Sequence, residues 1–136
     1  MPRESLKSYA STRIAPSKSK EQIEELLIRV GAVGFRWISR IGQNEVLEAG
    51  LEWNGRQLAF RLQVSFESED ERKQKLRALY WYLKSKVEAI EFGLVDLEQE
   101  FLPSLITSSG ETVYEHLGGQ NMKLLALPEG EHVPSA

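Results

Sequence analysis

The stretch Leu47-Glu48-Ala49-Gly50-Leu51-Glu52-Trp53-Asn54-Gly55-Arg56-Gln57-Leu58-Ala59-Phe60-Arg61-Leu62-Gln63-Val64 decides the fold. Apolar residues recur at every second position on both sides of Asn54-Gly55, the period of a strand with one buried face. Asn-Gly suits a two-residue type I′ turn because both central residues need positive φ. That turn fixes the register: Trp53 opposite Arg56, Leu51 opposite Leu58, Ala49 opposite Phe60, Leu47 opposite Leu62. Every apolar side chain then falls on one face. Glu48 meets Arg61 on the other, wetter face, where an opposite-charge pair across strands helps modestly.

Outward from this hairpin, Val33, Phe35 and Trp37 alternate with Arg36, Ile38 and Arg40, which predicts a further strand broken by Gly42-Gln43-Asn44. Before it, Ile23, Leu26, Leu27 and Val30 have helical spacing, Ser19 to Gln22 reads as a capping box, and Gly31 supplies the stop, giving a helix over about 20–30. Lys7 to Ile14 alternates loosely ahead of Pro16 and predicts a short first strand. On the other side, Ser68-Glu69-Asp70-Glu71 is a second capping box, opening a helix over about 69–92 that Gly93 closes. Its apolar stripe is Leu76, Leu79, Tyr80, Leu83, Val87 and Ile90. Asp96 to Leu102 predicts one more short helix ended by Pro103. Leu105 to Thr107 and Glu111 to Tyr114 flank Ser108-Ser109-Gly110 as a second hairpin or ordered arm. The order β-α-β-β-β-α with an appended C-terminal segment gives an α+β two-layer sandwich, an antiparallel sheet carrying helices on one face. Residues 1–127 form one domain in this reading and residues 128–136, punctuated by Pro and Gly, a loose tail.

The composition agrees with a globular domain: 136 residues, 41% apolar and 27% charged, with no Cys. Disorder, collagen and disulfide scaffolds are excluded, as are zinc-thiolate sites and thiol nucleophiles. No window reaches the roughly 18 apolar residues of a membrane span. Met1-Pro2-Arg3-Glu4-Ser5 lacks the layout of a signal peptide, so the expectation is a cytoplasmic protein. The net charge of −3 hides a division, because residues 1–86 carry +5 and residues 87–136 carry −8. Such asymmetry marks either a polyanion-binding part beside an acidic one, or two halves that face each other and neutralise locally.

Lys84 to Gly93 (Lys-Ser-Lys-Val-Glu-Ala-Ile-Glu-Phe-Gly), Glu98 to Pro103 and Ser109 to Val113 together resemble a family of small uncharacterised proteins of bacteriophages and bacterial mobile elements. The likeness extends to Tyr9-Ala10-Ser11-Thr12, Ile23 to Leu27 with Gly31-Ala32, and Gly55-Arg56 before Phe60. The chain departs from it in a short Val64–Arg77 stretch. The resemblance implies a phage-type protein of the bacterial cytoplasm and carries no catalytic residue with it.

On the second helix, Lys73, Arg77, Trp81 and Lys84 share one arc beside the apolar stripe, with Lys75, Tyr82 and Lys86 on the opposite flank. Cations neutralise phosphates and flat rings stack on bases, so this face is the candidate nucleic-acid surface. The simpler alternative is long stems covering the border of the stripe with their heads in water. Arg36 and Arg40 project from their strand on the face that bears Arg61, where guanidinium forks suit a phosphate or carboxylate, unless Glu48 occupies them. Glu88, Glu91, Asp96, Glu98 and Glu100 cluster in sequence, but at spacings common by chance, and no phosphate loop, nucleophile–base pair or dinucleotide fingerprint accompanies them. No metal or cofactor is expected. The expectation is therefore a non-enzymatic module binding nucleic acid or a phosphate-bearing ligand through Lys73, Arg77, Trp81, Lys84, Arg36 and Arg40. The alternative is a protein-interaction factor using the acidic C-terminal segment against a host or phage protein. Complementary halves also suit a homodimer.

Overall fold

The Asn54-Gly55 turn closes the hairpin in the expected register, with φ of 50° and 77° at its two central residues and Trp53, Leu51, Ala49 and Leu47 facing Arg56, Leu58, Phe60 and Leu62. The computed structural model describes residues 12–118 and 125–133. Its elements are α1 (Pro16–Ile28), β1 (Ala32–Arg40), β2 (Asn44–Trp53), β3 (Arg56–Ser65), α2 (Glu69–Glu91), α3 (Leu97–Phe101) with a 3-10 turn at Leu102–Ser104, and α4 (Val113–Leu117). The three strands form one antiparallel sheet in the order β1-β2-β3, and the fold is α+β. Ile23, Leu26 and Leu27 of α1 and Leu83, Val87 and Ile90 of α2 pack with Leu47, Ala49, Leu51 and Phe60 of the sheet into one core.

Three expectations are corrected, and a fourth, the first strand, is tested only at its end. The first strand over 7–14 falls mostly outside the described residues, and Thr12 to Ile14 are not in a strand. The Ile14 amide donates instead to Thr12 Oγ1 at 3.2 Å, a local bond of the kind that competes with sheet pairing. Helix α1 starts a turn earlier than the Ser19 capping box predicts, at Pro16 with Ala15 as N-cap. Proline at the first helical position has its φ preset and lacks only an amide that would be unpaired there anyway. Ser19 is then fully buried inside the helix, and Gln22 accepts from Arg77 instead of reaching back to a cap. In β1, a register shift between Ala32 and Gly34 turns Ala32 inward and leaves Val33 67% exposed, so Val33 does not share the inner face of Phe35 and Trp37. A bulge of this kind inverts the alternation on one side of it. Finally, Val113 and Tyr114 open α4 rather than continue a second hairpin, because Thr112 and Glu115 cap it reciprocally, at 3.1 Å (Glu115 amide to Thr112 Oγ1) and 2.8 Å (Thr112 amide to Glu115 Oε1). Up to Thr112 the expected hairpin and ordered arm are present: Ile106 bridges Thr112, and the Thr107 and Val113 amides donate to the Glu111 and Leu105 carbonyls at 2.7 and 2.9 Å around the Ser108-Ser109-Gly110 turn.

The C-terminal arm belongs to the core. Leu97 and Phe101 are buried, and the Phe101 ring stacks on Phe60 with centroids 4.8 Å apart and planes within 7°. Leu105 bridges to Phe60 and the Ile106 amide donates to the Ala59 carbonyl at 2.8 Å, so the arm covers part of the outer edge of β3. Helix α2 begins as expected, Ser68 accepting from the Glu71 amide at 3.1 Å, and ends before Gly93 at φ 75°.

Candidate interaction surface

Helix α2 places the four residues of the candidate face unequally, because α1 packs against it at Arg77. Arg77 is 4% exposed. Its Nη2 donates to Gln22 Oε1 at 2.5 Å, its guanidinium lies 4.5 Å from the Tyr80 ring centroid, and its Nε has no partner among the described residues. Burial lowers its pKa from the ordinary arginine value. Arg77 is thus removed from any phosphate-contacting surface, a correction to the sequence reading. Helical spacing showed which face it occupies, but not that a neighbouring helix would cover that face. Trp81, by contrast, is 43% exposed, with Lys84 Nζ 5.0 Å from its ring centroid. Lys73 and Lys84 are half-buried. On the opposite flank, Lys86 sits 4.7 Å from the exposed Tyr82 ring but donates to Glu100 Oε1 at 2.8 Å. Lys75 is held by the Ser65 carbonyl at 2.5 Å and by Glu71.

The sheet arginines divide in the same way. Glu48 takes Arg36 on one oxygen and Arg61 on the other, the latter at 2.8 Å. Partial burial pushes the Glu48 pKa up, but the two guanidiniums outweigh it and the net direction is down. The expected Glu48–Arg61 pair is therefore present, with Arg36 as a third member. Arg40 is exposed and lines a shallow pocket of about 170 Å³ with Ile41, Phe66, Glu69 and Arg72.

Ion pairs also join the basic and acidic halves of the chain. Arg29 meets Glu91 at 2.5 Å, Arg56 meets Glu98 at 2.6 Å, Lys86 meets Glu100 at 2.8 Å and Arg61 approaches Glu115 at 3.8 Å. Local neutralisation, the simpler of the two readings of the charge asymmetry, is what these contacts make. The same pairs occupy Glu91, Glu98 and Glu100, and among the described residues no group of three or more His, Asp or Glu is placed to hold a metal ion.

Sequence reasoning missed the most buried charge. Glu45 is fully buried at the start of β2, accepting from Ser39 Oγ at 2.8 Å and Arg72 Nε at 2.8 Å, with Lys20 Nζ at 3.1 Å. Burial pushes its pKa up, yet the three hydrogen bonds outweigh burial and the net direction is down. Parity carried the signal: Glu45 precedes Leu47, Ala49 and Leu51 on the inward-facing positions of the strand.

The C-terminal arm also leaves an apolar cluster outward. Leu102, Pro103, Val113, Tyr114, Leu117 and Leu125 line a pocket of about 190 Å³ whose wall presents only apolar surface. Pro103 and Tyr114 continue into a neighbouring pocket of about 410 Å³ floored by Arg61 and Gln63. Leu102, Tyr114 and Leu125 are exposed in the free chain. Among the described residues no helix is long and apolar enough to cross a membrane. Comparison with protein-family models, with characterised proteins and with solved structures finds no match to this chain.

Proposed function

We propose that this chain is a non-enzymatic binding module that takes a protein partner on the apolar surface of its C-terminal arm. The observation that carries the reading is the pocket walled by Leu102, Pro103, Val113, Tyr114, Leu117 and Leu125. An exposed apolar cluster rimmed by polar side chains is what protein interfaces are built around. The charge-driven version of this idea, an acidic segment seeking a basic partner, is weaker, since Glu91, Glu98, Glu100 and Glu115 already face cations of the same chain. The resemblance to phage and mobile-element proteins supports a bacterial host or phage protein as the partner, encountered in the cytoplasm. The test is capture from bacterial lysate at about 0.1 and 0.5 M salt, where apolar contacts persist and exposed ion pairs are screened. A partner retained at both salts and lost on Leu117→Ser, with unchanged circular dichroism, is the expected result. Equal capture by the variant removes the reading.

A second reading keeps nucleic acid as the ligand, favoured by exposed Trp81 beside Lys84. With Arg77 buried and Arg36 paired, Lys73, Lys84 and Arg40 are the cations left for phosphates. The expected salt dependence for single-stranded DNA is then shallow, a log–log slope of magnitude about 2 or less. A steep slope lost on Lys84→Ala and Trp81→Ala together restores nucleic acid as the principal ligand.

A further inference from the structure

We infer that the free edge of β1 is a second docking site, one that takes an extended polypeptide segment alternating acidic and apolar residues. In the sheet order β1-β2-β3, β1 pairs with β2 on one side, and among the described residues nothing pairs with its other side. Beyond the shift at Ala32 and Gly34, the run Phe35–Arg40 pairs residue for residue with β2, so alternate residues of it present a regular row of outward amides and carbonyls. Such a row is a template for an added strand.

Charge selects the occupant. Strand β1 reads Ala-Val-Gly-Phe-Arg-Trp-Ile-Ser-Arg, with two cations and no acid. Arg36 and Arg40 stand on the open face of the sheet and are exposed, while Phe35 and Trp37 stand half-buried on the helix face. Glu48 already holds Arg36, so a strand laid beside them gains by placing a carboxylate next to Arg40 and apolar side chains next to the rings, the neighbours that stabilise adjacent strands. A second copy of this chain is disfavoured, because an antiparallel pairing centred on Ile38 sets Arg36 against Arg40. The chain's own segment Lys7-Ser8-Tyr9-Ala10-Ser11-Thr12-Arg13-Ile14 has two cations and no acid, the opposite of the charge this edge selects. This site is independent of the arm pocket.

The experiment uses the full chain, labelled with nitrogen-15, titrated with an acetylated and amidated (Glu-Val)4 peptide. Two controls are a (Lys-Val)4 peptide and a (Glu-Val)4 peptide N-methylated along its backbone. Saturable binding below about 1 mM, with amide shifts concentrated in Phe35–Arg40, is the expected result, and both controls bind at least about tenfold more weakly. Arg40→Glu is expected to weaken the acidic peptide roughly three- to tenfold and to strengthen the basic one. Leu117→Ser leaves both affinities unchanged, which separates this site from the arm pocket. Absence of binding at 1 mM, equal binding of the two charge types, or shifts confined to the arm overturns the inference. So does protection of the β1 amides in the free chain, whether it depends on protein concentration or disappears when residues 1–11 are removed.

Discussion

Glu45 lends its stability only while ionised, so its contribution has a definite place on the pH axis. Its folded pKa lies below the ordinary carboxylate value because Ser39, Arg72 and Lys20 outweigh burial. The contribution is therefore complete above the unfolded-state pKa and is lost as pH falls through the depressed folded value. Glu45→Gln is expected to cost about 3 kcal/mol at neutral pH, leaving two largely buried cations without their carboxylate, and to flatten the loss of stability on acidification. Urea midpoints between pH 7 and 3 read both effects. Arg77 presents the reverse case. One nitrogen is bonded to Gln22 and another is unpartnered, and buried charge is weak evidence of stability. Arg77→Met keeps the stem's packing and is expected to be neutral or stabilising by about 1 kcal/mol. A loss above about 3 kcal/mol in the same measurement would mean that the guanidinium is fully satisfied.

At the scale of elements, two helix stops that look alike in the sequence differ in the structure. Gly31 and Gly93 both have positive φ, but a Cβ on Gly31 would lie 2.6 Å from the Glu52 carbonyl oxygen, while one on Gly93 would meet nothing within 4 Å. The Gly31 carbonyl also accepts from the Glu52 amide at 3.0 Å, tying the end of α1 to β2. Gly93→Ala is expected to cost about 1 kcal/mol, the price of left-handed backbone alone, and Gly31→Ala at least about 2 kcal/mol more, since backbone has to move. Thermal melts of the two variants side by side make the comparison. Glycine at these positions was legible from the helical period before each; the close approach at Gly31 depends on Glu52, at the far end of the second strand.

Over the whole molecule, the residues after α2 complete the core rather than decorate it. Phe101 stacks on Phe60 and Leu97 is fully buried, so Phe101→Ala is expected to cost about 3–5 kcal/mol. Deletion of everything beyond Gly93 is expected to yield a chain without a cooperative melt, readable by calorimetry. An acidic segment that also carries core residues cannot be a detachable charged tail, which is why its carboxylates lie against the cations of residues 1–86. Among the described residues, the apolar pocket and the β1 edge lie outside this core and stay open to partners.

Local chemistry alone determined the hairpin register, the Ser68 start of α2, its inward stripe and the α+β class, because turn type and side-chain period act between residues near in the chain. The covering of Arg77, the burial of Glu45 and the outward turn of Val33 were decided by the tertiary structure. So was the pairing of the basic half with the acidic half. Each depends on which surface another element brings against that residue, and periodicity says which way a side chain points but not what arrives to meet it.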